Sequence, residues 1–386
     1  MKYPGFAFFK AVAAGLFVIC AATTAVAQST PQHALLALSK SDHTLAIVDP
    51  VTLKVIARIP VGTDPHEVIA STDGKTAYVS IYGGGSLHEL NVIDLVAQKP
   101  LLNVDTKPLM GPHGLTFVGG KLWFTAEGAK SVGRYDPATG KFDWCMGTGQ
   151  NRTHMIYVTA DEKHVYTTNV SSGTVSILTD TLVQPNFGPP PGGNPPGGNP
   201  QGGNPPGGNP PGGNPPGGNP PGGNRQGGMP PGFKPHSDWF QTLIPVGRGS
   251  EGFDVSPDGK ELWAAAADDG SISIIDLAAK KVTATLAAGV VGANRLQFTP
   301  DGKRVLISSL RNGDLVVYDA QSRKEVKRVS IGHGAAGILM DPDGSRAFVG
   351  CTGDNYVAVI DLKTLTVSGH IDVGGGPDGL AWAVRP

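Results

Sequence analysis

A strand pattern that returns about every 43 residues constrains this chain more than any other feature. An apolar run rich in β-branched residues ends in aspartate seven times, at Asp49, Asp94, Asp136, Asp180, Asp276, Asp319 and Asp361. Successive aspartates are 45, 42, 44, 96, 43 and 42 residues apart. Removing a 51-residue Pro/Gly-rich segment, residues 185–235, brings the long interval into line with the others. Seven repeats of this length predict an all-β fold, a seven-bladed β-propeller.

Every repeat has the same order of turns and strands. A tight turn such as Asp73-Gly74-Lys75 separates the first two strands, because glycine tolerates the positive φ that such hairpins need. The Asp-ending strand and an outer strand follow, which predicts four antiparallel strands per blade, lettered A to D from the axis outward. The chain begins with strands B to D and ends with a lone strand A at Asp378-Gly379-Leu380-Ala381-Trp382. We therefore expect the C-terminal strand to pair with the N-terminal strands and close the ring.

This pattern resembles the YVTN family of bacterial seven-bladed propellers. The resemblance rests on Asp73-Gly74-Lys75, Tyr78-Val79-Ser80 and Val92-Ile93-Asp94 with their copies, and it extends over essentially the whole chain after residue 27. It implies the propeller fold and leaves the function open, since one such fold hosts unrelated functions. The blade that contains Gly111-Pro112-His113-Gly114-Leu115 is also similar to a streptogramin-lyase repeat.

Residues 1–27 are typical of a secretory signal peptide. Lys2 and Lys10 precede an apolar stretch, residues 11–22, that is too short to span a membrane. Ala25-Val26-Ala27 then supplies a small-x-small cleavage sequence. We therefore expect a periplasmic or secreted protein whose residues 28–386 form a single propeller. With 31 basic and 32 acidic residues and no basic cluster, the chain is not predicted to bind nucleic acid.

The Pro/Gly/Asn-rich tract is the second segment outside the repeats. Residues 190–224 are seven pentapeptides, six Pro-Pro-Gly-Gly-Asn and one Pro-Gln-Gly-Gly-Asn. Having almost no apolar side chains to bury, residues 185–235 are predicted to be a disordered insertion between strands C and D of the third complete blade. Its function is open: it is either a contact arm or a neutral expansion of a surface loop.

The start of strand A in each blade supplies the candidate site. These positions rim the central channel, and the residues there are His66, His113, His154, Glu251, Asn294, Ala336 and Asp378. Imidazole and carboxylate groups that converge on one axis are suitable ligands for Zn²⁺, Fe²⁺ or Cu²⁺. We therefore predict a divalent metal site made by His66, His113, His154 and Glu251. The alternative is a solvated rim, since such residues also suit turn geometry.

The same rim could instead bind a small molecule or a peptide. The residues predicted for this role are Arg152, Asn294, Arg295 and Asp378, and an arginine suits a carboxylate through paired hydrogen bonds. Further charged residues expected near the rim are Glu67, Arg248 and His333.

Three functions remain open from the sequence. The first, which the sequence favours over an enzyme, is an exported binding or scaffold protein, a monomer that uses the rim to recognise a small molecule, a peptide or an envelope protein. The second is a metal-dependent enzyme, lactonase-, lyase- or oxidase-like, with the His-rich axial site as its centre. The third is a cell-surface structural protein that makes contact through the Pro/Gly/Asn tract.

Overall fold

The computed structural model describes residues 28–183 and 234–386, together with Met1 and Gly5. The rest of the predicted signal peptide, and the predicted insertion up to residue 233, lie outside the described residues. Within the described part, no helix is both long enough and apolar enough to cross a membrane.

The structure is a ring of seven antiparallel sheets. The first blade contains β1 (His33–Ser39), β2 (Thr44–Asp49) and β3 (Lys54–Pro60), and it is completed by β29 (Pro377–Val384). The second contains β4 (Pro65–Ala70), β5 (Thr76–Ile81), β6 (Glu89–Asp94), β7 (Lys99–Pro100) and β8 (Val104–Asp105), with a 3-10 turn at Gly83–Gly85. The third contains β9 (Pro112–Val118), β10 (Lys121–Ala126), β11 (Ser131–Asp136) and β12 (Lys141–Gly147).

The remaining four blades repeat the same arrangement. The fourth contains β13 (Thr153–Val158), β14 (His164–Asn169), β15 (Thr174–Val183) and β16 (His236–Pro245). The fifth contains β17 (Ser250–Val255), β18 (Glu261–Ala266), β19 (Ile272–Asp276) and β20 (Lys281–Leu286). The sixth contains β21 (Ala293–Phe298), β22 (Arg304–Ser309), β23 (Asp314–Asp319) and β24 (Lys324–Ser330). The seventh contains β25 (Ala335–Met340), β26 (Arg346–Cys351), β27 (Tyr356–Asp361) and β28 (Thr366–Ile371).

The ring closes as the sequence predicts. Strand β29 pairs antiparallel with β1, with Leu35 opposite Trp382 and Leu36 opposite Ala381. The innermost strands β29, β4, β9, β13, β17, β21 and β25 contact one another in this order, and β25 contacts β29 again. The seven-bladed fold with the C-terminal strand in the N-terminal blade is therefore confirmed.

The core lies between neighbouring blades. Trp123 on β10 and Trp263 on β18 occupy equivalent positions and are both fully buried. Trp123 belongs to a cluster that includes Ile156 of the next blade, and the Trp263 ring lies 5.7 Å from that of Phe298, also in the next blade. Burying aromatic surfaces of this size on both sides of a blade stabilises the ring through the hydrophobic effect.

The repeated aspartates bind the backbone of the following turn, as their position predicts. Asp49 Oδ1, for example, accepts a hydrogen bond from the Val51 amide at 2.9 Å. Asp180 is the exception, because β15 continues beyond it to Val183 and the strand does not turn at this aspartate. Its Oδ1 atom is buried and has no hydrogen-bond partner among the described residues.

The outer strand of the second blade departs from the regular pattern. It is divided into β7 and β8, which both pair with β6. Pro100 at the end of β7 has no amide proton to donate, and proline is tolerated at a sheet edge for this reason.

Candidate functional site

A β-bulge in every innermost strand shapes the axial end of the channel. In β4, Pro65 pairs with Ile81 and Val68 pairs with Val79, so that His66 and Glu67 together lie opposite one residue of β5. The same jump from the first to the fourth residue occurs in the other six innermost strands. A bulge of two residues against one redirects side chains locally. The side chains of the second and third residues of these strands are therefore released from the regular alternation of the strand and can face the channel.

Hydroxyl groups on the neighbouring strand hold several bulges in place. Thr125 Oγ1 accepts a hydrogen bond from the Gly114 amide at 2.9 Å and donates one to the carbonyl oxygen of His154 in the next blade. Thr168 Oγ1 likewise donates to the carbonyl oxygen of Glu251 at 2.8 Å. Each of these hydroxyls therefore links one blade to the second residue of the next blade.

The predicted metal ligands and the predicted ligand-binding residues all lie around one cavity of about 250 Å³. Its walls include the seven second residues of the innermost strands, His66, His113, His154, Glu251, Asn294, Ala336 and Asp378. Arg152 and Arg295 line the same cavity. Arg248 and His333 do not; their side chains are 80% and 87% exposed and pair with Asp268 and Asp354.

Three histidines from consecutive blades contact one another. The rings of His113 and His154 lie 3.9 Å apart, centre to centre, and those of His66 and His113 lie 4.7 Å apart. His113 Nε2 is 3.1 Å from His66 Nδ1. His113 and His154 are only 2% and 3% exposed. Burial lowers the pKa of His113 well below its usual value and also lowers that of His66, so both imidazoles are neutral at neutral pH.

The hydrogen bonds of His66 determine which nitrogen of each ring carries its proton. Asp64 Oδ1 lies 2.9 Å from His66 Nε2 and accepts a hydrogen bond from it. Lys40 Nζ is 2.8 Å from Nε2 and 3.3 Å from Nδ1. His66 Nδ1 then accepts a hydrogen bond from His113 Nε2, which leaves His113 Nδ1 as a bare lone pair.

His154 is oriented by a carboxylate. Its Nδ1 atom donates a hydrogen bond to Glu127 Oε1, which leaves Nε2 as the atom with the free lone pair. His154 Nε2 and His113 Nδ1 are both buried, and neither has a hydrogen-bond partner among the residues that the structure describes. One ligand atom from each of His113, Glu127 and His154 can be chosen so that all three lie within 4.8 Å of one another. Among the described residues, these three form the cluster able to hold a metal ion.

Glu127 was missed by the sequence analysis, although the repeat contains a signal for it. It follows strand B directly, and the equivalent residues of the seven blades are Lys40, Tyr82, Glu127, Val170, Ala267, Leu310 and Thr352. Tyr82 donates its hydroxyl proton to Glu127 Oε2 at 2.5 Å, and Arg152 Nε lies 3.5 Å from the same oxygen. Burial acts to raise the pKa of Glu127, but the hydrogen bonds of His154 and Tyr82 and the charge of Arg152 hold it below its usual value.

Glu251, which the sequence predicts as a metal ligand, lies on the cavity wall but contacts Asn294 and Arg152 and not the histidines. Its Oε2 atom accepts a hydrogen bond from Asn294 at 2.6 Å, and Arg152 lies 3.4 Å from Oε1. The carboxylate that the structure brings to the histidines is that of Glu127.

An ion pair crosses the channel directly below this cavity. Arg295 and Glu67, both third residues of their strands, are buried and in hydrogen-bond contact. Burial opposes the charge of Arg295, but the carboxylates of Glu67, Asp378 and Glu251 outweigh it and raise its pKa. The two strands that lie between them in the ring have glycine at the third position, Gly337 and Gly379.

The cavity and its immediate partners carry excess negative charge. Five carboxylates, those of Asp64, Glu67, Glu127, Glu251 and Asp378, accompany three cationic side chains, those of Lys40, Arg152 and Arg295. These carboxylate, ammonium and guanidinium groups by themselves sum to a net charge of −2.

Comparisons with known proteins support the fold and give a partial family match. The sequence profile of the cytochrome D1 heme domain matches residues 234–345, less than a third of the chain. The profile that matches is not that of the YVTN family, so that resemblance remains a prediction. No curated protein matches the chain.

Several solved structures share the architecture. A functionally unknown protein from Desulfotomaculum acetoxidans has a TM-score of 0.65 at 11% identity, over 92% of this chain and 99% of its own. A 6-phosphogluconolactonase candidate from Bacteroides uniformis has a TM-score of 0.63 at 14% identity, over 91% and 99%. Dihydro-heme d1 dehydrogenase NirN in complex with DHE has a TM-score of 0.55 at 14% identity, over 90% and 65%. At these identities the likeness shows the fold.

Proposed function

We propose that the axial cavity binds one divalent transition-metal ion and that the protein is a metal-dependent enzyme acting on a small molecule. The observation that carries this proposal is the pair of free lone pairs on His113 Nδ1 and His154 Nε2, which are buried beside Glu127 and have no partner in the described part of the chain. An unpartnered polar atom in such a place costs about 1–3 kcal/mol, which a bound cation would remove.

The surroundings of the histidines support a metal ion over a plain solvated rim. A metal-binding histidine almost always donates its other ring proton to a carboxylate or carbonyl, and His154 does so to Glu127. His66 donates to Asp64 and accepts the hydrogen bond of His113 Nε2, so it orients the His113 ring and has no free lone pair of its own. A net charge of −2 around a largely buried cavity is also neutralised by one divalent cation. Nitrogen and oxygen ligands of this kind suit Zn²⁺, Fe²⁺ or Cu²⁺.

The open side of the cavity favours catalysis over a purely structural metal. Catalytic metal sites keep at least one position for water or substrate, whereas structural sites are closed by four protein ligands. When bound, such an ion polarises a carbonyl group or lowers the pKa of a water molecule. Arg152, whose side chain is 43% exposed beside Glu127 and Glu251, is available to an anionic group of the substrate. Of the three sequence-based hypotheses, these features support the metal-dependent enzyme best.

The partial match to a heme domain does not extend to the cavity. Residues 234–345 contribute no histidine to it, since His236 and His333 are not among its lining residues. Its volume of about 250 Å³ is below the roughly 300–1,000 Å³ of pockets for drug-sized ligands, and a tetrapyrrole is larger still. The residues of this site fit a single ion and not a haem.

The setting of this activity is also a proposal. We place the protein outside the cytoplasm because residues 1–27 have the pattern of a signal peptide, and we expect it to act as a monomer.

Metal loading of the purified full-length protein tests the site. After removal of metal with a chelator, the protein is titrated with Zn²⁺ or Co²⁺, and bound metal, thermal stability and hydrolysis of small lactones are measured. We expect one ion per chain, a higher Tm by mass action, and turnover that depends on the ion. His154→Ala abolishes stoichiometric binding, and Glu127→Gln weakens it by about 10–100-fold.

Two control variants make the result specific. His333→Ala removes an exposed histidine outside the cavity and leaves metal affinity unchanged. Glu251→Gln changes metal affinity less than Glu127→Gln does. Absence of stoichiometric metal, or equal retention by the His154→Ala variant, contradicts the metal site. Binding without any ion-dependent turnover contradicts the enzyme and leaves a metal-binding protein.

A further inference from the structure

The other end of the axial channel contains a second cavity. We call it the lower chamber; its volume is about 370 Å³, and the residue it shares with the His-rich cavity is Arg295. The ion pair of Arg295 and Glu67 forms its ceiling and separates it from the histidines. The two cavities therefore lie on one axis but are distinct sites.

The walls of the lower chamber are largely apolar because of the repeat, and its charged or amide lining residues are Glu67, Arg295, Asp254 and Gln297. The fourth residue of an innermost strand follows the bulge, one position after the residues of the ion pair. Six of these residues line the chamber, and all are apolar: Val68, Leu115, Phe253, Leu296, Ile338 and Leu380. Trp382, two residues after Leu380, lines it as well. Apolar walls and a volume in the ordinary range for ligand pockets suit a small organic molecule.

Asp254 is a carboxylate among these apolar walls. Its Oδ2 atom accepts a hydrogen bond from the Phe298 amide at 2.9 Å, and Oδ1 accepts one from the Val255 amide at 2.8 Å. Among the described residues, no Lys, Arg or His nitrogen lies within ion-pair distance of it. Asp254 is half-buried. A carboxylate that loses water without gaining a cation is costly, whereas one that is paired and hydrogen-bonded is tolerated.

We propose that the lower chamber binds a small apolar molecule that carries one protonated amino group. The ammonium group pairs with Asp254, and the alkyl or aryl part contacts the ring of fourth residues. Charge complementarity identifies this class of ligand, since the chamber combines one unpaired carboxylate with apolar walls. A neutral molecule of the same shape would fill the chamber but would leave Asp254 unpaired. A carboxylate ligand would be repelled by it.

A matched pair of probes tests the proposal on the full-length protein. Hexylammonium and hexan-1-ol have the same chain and differ in the charged group, and their binding is followed by calorimetry and by the fluorescence of the protein, to which Trp382 contributes. We expect hexylammonium to bind at least tenfold more tightly than hexan-1-ol at neutral pH. Equal affinities of the two probes for the unaltered protein overturn the proposal without the need for any variant.

Variants locate the binding site within the channel. Asp254→Asn is expected to abolish the preference for hexylammonium and to leave hexan-1-ol binding unchanged. Asp268→Asn, at an aspartate with a 61% exposed side chain, keeps the preference. His154→Ala also keeps it, because the ion pair separates the chamber from the histidines. A preference that survives in the Asp254→Asn protein, or is lost in the His154→Ala protein, overturns the proposed location.

Discussion

Asp254 shows how the position of one side chain in the channel controls its ionisation. Burial raises the pKa of this carboxyl to about 6, and two backbone amides offset only part of the effect. The charged and titratable groups that face the same region are Arg295 and Glu67 in the ceiling and the Tyr157 phenol. The raised pKa therefore reflects lost hydration of the carboxylate.

The stability of the protein should depend on pH through Asp254. Since its pKa is higher in the folded than in the unfolded chain, its contribution is most favourable near pH 4 and is lost as pH rises through about 6. Asp254→Asn is therefore expected to raise Tm at pH 7.5, on the order of a few degrees, and to have little effect at pH 4. Calorimetric scans across this range measure the difference. Asp268→Asn is the control, and an equal shift at both pH values would contradict the expectation.

The candidate site was partly predictable residue by residue. Applying one period to the start of strand A identified His66, His113 and His154, because every blade places the equivalent residue at the axis. The position directly after strand B also recurs in every blade, and in one blade it is Glu127. Because three other blades have an apolar residue there, this position does not stand out as part of a polar site. The free nitrogen of each ring could not be predicted, because it depends on contacts such as that between Asp64 and His66.

At the scale of the strand, the β-bulge is the feature that makes a site possible. It was not predicted, because the bulged residues have no shared side-chain type. The third residues do show its effect: four of the seven are glycine, Gly114, Gly252, Gly337 and Gly379. At each of them an added Cβ would meet the backbone of the neighbouring innermost strand. Glycine here allows adjacent blades to approach closely at the axis.

Gly337→Ala is expected to destabilise the protein. The new Cβ would lie 2.1 Å from the carbonyl oxygen of Asp378, and backbone shifts of this kind typically cost about 1–3 kcal/mol. Gly147→Ala is the matched control, since no atom lies within 4 Å of its added Cβ. Urea denaturation should show a lower midpoint for the first variant and an unchanged or slightly higher midpoint for the second. Equal midpoints would argue against close blade contact at Gly337.

At the scale of the whole molecule, the fold was predictable because seven copies of a weak signal reinforce one another. Turns with glycine at positive φ, such as Gly74, and aspartates that bind the next turn recur in register. Local departures, such as the divided outer strand at Pro100, do not change the number of blades. The ion pair of Arg295 and Glu67 crosses the channel between distant blades. A repeat pattern describes single blades and therefore does not predict such contacts.

Removal of β29 should destabilise the whole ring. Deleting residues 377–386 takes away the strand that pairs with β1 and contacts β4 and β25, which leaves an exposed sheet edge. We expect loss of the cooperative thermal transition and self-association, measured by calorimetry and light scattering. Deleting Pro386 alone is the control and should preserve both the transition and the monomer. A monomeric deletion variant with the original Tm would show that closure contributes little.

The shared blade also has a consequence for when the protein folds. Strand β1 is among the first residues of the propeller to be made, yet its inner partner β29 lies more than 300 residues later in the chain. Until β29 has been synthesised, the inner edge of the first blade is unpaired and the ring cannot close. A ring whose first blade waits for a strand so distant in sequence closes a very large loop, and contacts of such high sequence separation are expected to make folding slow.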